Sequence, residues 1–85
     1  MMQYTQAEFL QLLQQYNSTD RKVIKANLKR IMDMYGIKPA DIIALGYSSC
    51  NVYAWTNKST KNIPLFEQAL NIAVHFDFSI TEFLK

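Results

Sequence analysis

The sequence predicts an all-α protein of five to six helices folded around one small core. Three observations point there. Apolar residues recur three and four positions apart through most of the chain, the spacing of a helix face rather than of a strand. Two glycines and two prolines are too few for the turns of a sandwich or barrel. With 49% apolar and 19% charged residues, the chain can bury a core instead of staying a solvated polymer. At 85 residues that core makes one domain.

The elements follow in order. Thr5-Gln6-Ala7-Glu8 has the spacing of a capping box, and Phe9, Leu12, Leu13 and Tyr16 continue it as one stripe, so a first helix spans 5–16. Asn17-Ser18-Thr19-Asp20, four turn and cap formers, end it. A second helix runs from Arg21 to Tyr35, with Ile24, Leu28, Ile31 and Tyr35 facing inward and Lys22, Lys25 and Lys29 on the opposite stripe. Gly36 is its left-handed cap. Lys38 to Leu45 reads as a short helix with Pro39 in its first turn and Ile42, Ile43 and Leu45 as its apolar positions, closed by Gly46. Ser48 or Ser49 caps the next, which ends near Thr56 and turns Val52 and Trp55 inward. After the polar loop Lys58-Ser59-Thr60-Lys61-Asn62, Pro64 opens a helix whose buried face is Phe66, Ala69, Leu70 and Ala73. Asp77, tolerant of left-handed backbone, stops it. Ser79-Ile80-Thr81-Glu82 is a second capping box, leading a terminal turn with Phe83 and Leu84.

The net charge of +2 hides a layout. From Arg21 to Asn62 there are eight cations and two anions, whereas both ends are mildly acidic. A basic middle suits a polyanion on one face. One cysteine and one histidine make neither an internal disulfide nor a Cys/His zinc site. No cofactor is expected. No nucleophile–base set, phosphate-binding glycine loop or suitably spaced carboxylate pair appears, so catalysis is not expected. No run of about 18 apolar residues is present, and no membrane span is expected. The segment Met1–Gln6 lacks the basic and apolar regions of a secretory signal, which makes the cytoplasm the expected location.

Two short helices joined through a glycine, then a longer helix and a capped stub, form a recognisable layout. The stretch Asn27–Leu84 resembles the helix-turn-helix family of phage Cro and lambda-type repressors. The resemblance is carried by Asn27-Leu28-Lys29-Arg30-Ile31, Tyr35-Gly36-Ile37, Leu45-Gly46-Tyr47-Ser48 and Val52-Tyr53-Ala54-Trp55. The run Ile72 to Leu84 completes it, with Asp77 where a glycine is usual. It implies a lambda-repressor-like DNA-binding domain over 21–85, with residues 1–20 as an extra, accessory N-terminal helix.

The resemblance further implies a small double-stranded-DNA-binding transcriptional regulator, repressor-like, without a ligand domain and acting as a homodimer. In that family the second motif helix lies in the major groove. By position, Ser49, Cys50, Tyr53 and Ala54 would read bases, and Ser48, Asn57, Lys58 and Lys61, with Arg21 and Lys22, would hold phosphates. Trp55 reads as core. The family's phosphate-anchoring glutamine falls here on Pro39 or Ala40, and its small residue four positions before the turn glycine is Ile42. The reading positions carry no Arg, Lys, Gln or Glu, which supply bidentate base contacts, so specificity would rest on DNA shape and water. The alternative function is a protein-binding module on the same scaffold: an anti-repressor, an antitoxin-like subunit or a phage-encoded inhibitor. The stripe of 5–16 would cover the domain's own core or pair with a second copy. Phe83 and Leu84 end the chain with little behind them, so a partner is expected over at least one of these surfaces.

Overall fold

Thr5 opens the first helix with both halves of its capping box made. Its hydroxyl accepts the Glu8 N–H at 3.1 Å and Glu8 Oε1 accepts the Thr5 N–H at 3.2 Å. The computed structural model describes residues 4–85. Met1, Met2 and Gln3, part of the segment read for a signal, lie outside the described residues. Helix α1 spans Gln6–Ser18, two residues further than its stripe predicts, because Ser18 and Thr19 hydroxyls bond back to the Gln15 carbonyl. Asp20 then caps α2, Arg21–Tyr35, by accepting the Lys22 N–H at 2.7 Å.

Gly36 ends α2 at φ 65°, and the Ile37 N–H reaches back to the Met32 carbonyl at 2.8 Å. α3 is the single-turn helix Pro39–Ile43; Ala44, Leu45 and Gly46 continue it only as tightening turns, so it stops two residues before the expected Leu45. α4 spans Ser49–Thr56. α5 begins at Phe66 rather than Pro64 and runs to His75; Pro64 lies outside it, and Leu65 is its extended N-cap. Asp77 adopts φ 59°, as its side chain allows, and Phe78 N–H closes on the Ala73 carbonyl at 2.9 Å. The chain finishes in a 3-10 helix, Ile80–Leu84. Among the described residues every regular element is helical, and no helix is long and apolar enough to cross a membrane.

One core takes a share from each helix: Tyr16 from α1, Ile24, Leu28 and Ile31 from α2, Ile42 from α3, Val52 and Trp55 from α4, Phe66 and Ala69 from α5, and Ile80 and Phe83 from the terminal helix. The α1 stripe covers this core: Tyr16 is 2% exposed, and Phe9, Leu12 and Leu13 pack partly buried beside it. The Tyr16 phenol crosses to the Pro64 carbonyl at 2.6 Å and anchors the entry to α5. Burial pushes its pKa up, so it remains the donor.

Four expectations need correction. Phe83 needs no partner: it is fully buried in its own chain, its ring 6.4 Å from Tyr16 and 5.8 Å from Phe78, and Leu84 is partly buried against the same core. Tyr35 is not an inward residue of α2 but an exposed one stacked on Phe78 at 5.3 Å; the helix face drifts, and Met32 takes the buried place. On α5 the fourth buried residue is Ile72, while Leu70 is only partly covered. The second capping box does not form: Ser79 caps by accepting the Thr81 N–H at 3.3 Å rather than that of Glu82, and Glu82 does not bond back. It turns instead to Arg30 at 3.2 Å and Lys85 at 2.6 Å.

Candidate nucleic-acid interface

The α3–turn–α4 unit is positioned from behind. Asp41 accepts the Lys38 N–H at 2.8 Å, which seats the first turn of α3, and Ile42 plugs that helix into the core at 0% exposure. The bulky Ile42 side chain therefore serves as an anchor. Gly46 turns the chain at φ 107°, a value L side chains rarely adopt, although a Cβ there would meet nothing within 4 Å. Its requirement is one of backbone angle, not of space. Tyr47 lays its ring against Trp55 at 5.6 Å and accepts a hydrogen bond from Asn71 Nδ2 at 2.9 Å, tying the turn to α5.

Ser48 follows in extended conformation as the N-cap of α4, with no side-chain cap bond, so its hydroxyl stays available. Val52 and Trp55 hold α4 on the core, which leaves Ser49, Cys50 and Tyr53 exposed on the outward face. Tyr53 keeps 56% of its surface in solvent. Ala54 is only partly exposed, on the shoulder of that face, and its carbonyl is engaged from within. Of the four positions implied as base readers, three thus stand together and the fourth stands half aside.

Four of the six implied phosphate residues divide into two pairs. Lys22 and Lys58 come together with Lys29, Trp55 and Thr56 around a hollow of about 270 Å³ between α2 and the end of α4. Lys29, Lys58 and Lys38 line an adjoining one, with Asp33 beside them. Arg21 and Lys61 lie elsewhere: Arg21 Nη1 donates to the Lys61 carbonyl at 3.4 Å, pinning the loop to the start of α2. Asn57 spends its amide oxygen within the loop, accepting from the Ser59 N–H at 2.9 Å and the Ser59 hydroxyl at 2.8 Å. Its NH₂ end is what remains to donate.

Lys29 and Lys38 belong to the basic middle of the sequence but have no implied contact role. Their convergence on Lys58 depends on how α2, α3 and the loop pack, a signal no local spacing contains. The reverse holds for Lys25. It belongs to the lysine stripe by spacing, yet its ammonium turns inward, donating to the carbonyls of Ala54, Trp55 and Asn62 at 2.9, 3.0 and 2.8 Å and to the Thr60 hydroxyl at 3.2 Å. Burial pulls its pKa down. Arg30 is likewise spent, on the Glu82 carboxylate and on the Glu82 carbonyl at 2.8 Å.

A third hollow, of about 620 Å³, opens on the other flank of α4, among Arg21, Asn51, Trp55, Asn62, Pro64 and Gln68. Cys50 is unpaired and exposed. Among the described residues no cluster of three His, Cys, Asp or Glu side chains could hold a metal ion. No protein-family model, curated protein or solved structure matches the chain.

Proposed function

We propose that the chain is a small regulator of transcription, repressor-like, that binds double-stranded DNA through α3, the Gly46 turn and α4. The observation that supports this reading is the combination at α4. Its outward face, Ser49, Cys50 and Tyr53, is bare, while Lys22, Lys29 and Lys58 gather at its end. A helix held from behind and exposed in front fits the major groove, and lysines at its flank fit the phosphates that border the groove. The protein would act in the cytoplasm as a homodimer on half-sites about one helical turn apart. Ser, Cys, Tyr and Ala offer single hydrogen bonds and thymine-methyl contacts, so discrimination between sequences would come chiefly from DNA shape and bridging water.

One observation favours a second reading. The exposed face of α4 is uncharged and carries a largely bare tyrosine, a surface that also suits a protein partner of an anti-repressor or antitoxin-like module. Titration of a labelled duplex from upstream of its own gene, at two salt concentrations, separates the two. The regulator binds with a steep salt slope, about −0.9 per phosphate contacted. Lys58→Glu with Lys61→Glu abolishes that binding and leaves thermal melting unchanged. Absence of duplex binding at micromolar protein would transfer the assignment to the protein-binding module.

A further inference from the structure

We infer that Lys25 is a positioning residue for this interface: from its half-buried place on α2 it holds the end of α4 and the lysine-bearing loop in the shape that meets DNA. The inference rests on the DNA-binding reading above. It concerns a residue off the outward face of α4 that lines the hollow shared by Lys22, Lys29 and Lys58.

The geometry is specific. A helix leaves its last carbonyls without partners, and a cation near them is favourable on both hydrogen-bonding and dipole grounds. Lys25 Nζ sits at that position on α4 and takes the carbonyls of Ala54 and Trp55. The same ammonium takes the Asn62 carbonyl at the far end of the loop. It also bonds the Thr60 hydroxyl, which itself donates to the Ala54 carbonyl. One side chain of α2 therefore joins the end of α4 to both the middle and the end of the loop carrying Lys58 and Lys61.

The loop contributes little burial of its own, since Asn57, Lys58, Ser59, Lys61 and Asn62 are all exposed. Its order comes from directional bonds instead. A loop ordered before binding spares the association the cost of ordering it. With its three N–H groups shared among four protein acceptors, this ammonium has none left for a phosphate, which distinguishes Lys25 from Lys22 and Lys29 on the same helix.

The test uses the full chain with Lys25→Met and Lys25→Arg. Three readouts are taken: duplex affinity across salt, amide hydrogen exchange over 57–62, and emission of Trp55, the chain's one tryptophan. Lys25→Met is expected to weaken duplex binding about tenfold with the salt slope unchanged, to speed exchange in the loop at least tenfold and to shift Trp55 emission. Lys25→Arg recovers part of each. A salt slope reduced by about one contact, with loop exchange as in the parent, means that Lys25 grips a phosphate itself and overturns the inference. If Lys25→Met does not fold, Thr60→Val loosens the same junction without removing charge, and unaltered loop exchange in that variant also overturns it. If the parent binds no duplex, the functional reading fails by itself, and Lys25 as organiser of the loop stands or falls on the exchange and emission data.

Discussion

Around Phe83, Tyr16 and Phe78 close edge-on or tilted over a ring that has no solvent exposure, and Phe66 and Phe9 extend the cluster beneath α1. By contrast α4 offers the core only Val52 and Trp55 as buried residues, and the loop beyond it is exposed almost throughout. Both regions are tied to α2 by polar caps. Asn27 Nδ2 donates to the Phe83 carbonyl at 2.7 Å as Lys25 does to the end of α4. The difference lies in what stands behind the cap. The terminal helix has buried aromatic area, which is strong and non-directional. The α4 end has hydrogen bonds, which fix geometry while leaving the outer surface open. On the proposed DNA-binding reading α4 keeps its outward face unburied, so its position must be set by contacts that need little area.

This comparison can be broken at the aromatic end first. Phe83→Ala removes the centre of that cluster and is expected to lose about 3–5 kcal/mol. At about 4–8 °C per kcal/mol for a domain of this size, the melting temperature read by circular dichroism falls by more than 12 °C. A drop of a few degrees would show that the terminal helix is held by its caps and that the two regions do not differ in kind. Tyr16→Phe keeps the ring and deletes one hydrogen bond, leaving the buried Pro64 carbonyl without its donor. The expected loss is about 1–2 kcal/mol in urea unfolding, with duplex affinity unchanged.

The smallest effect concerns pH. Hydrogen bonds from Lys85 and Arg30 hold the Glu82 carboxyl below its ordinary value of 4.5. A carboxyl whose folded pKa is depressed favours the folded state above its unfolded pKa, and that contribution fades as pH falls through the folded value. Urea midpoints measured between pH 6 and pH 3 should therefore decline less in Glu82→Gln than in the parent. Equal declines would remove Glu82 from the acid response and leave the Asn27 bond as the main polar tie of the terminal helix.

Much of the helical outline was legible in the chain. Thr5 with Glu8, Gly36 and Asp77 act through neighbours within about five residues, so their caps and stops can be read without knowing what packs where. Trp55 as core follows from the same helical arithmetic. The misread positions share the opposite property. Lys25 meets partners 29 to 37 residues away, Glu82 leaves its local box for an arginine 52 residues distant, and Phe83 disappears beneath α1, the element furthest from it in the chain.

The gathering of Lys29, Lys38 and Lys58 is of the same kind, set by three elements that meet only when folded. Spacing and caps by themselves determined which segments coil and where most of them stop, because those signals are local in the backbone. Which lysines face water and which terminal residue is sealed inside were decided only by tertiary packing, because desolvation and hydrogen-bond partners depend on what the rest of the chain brings alongside.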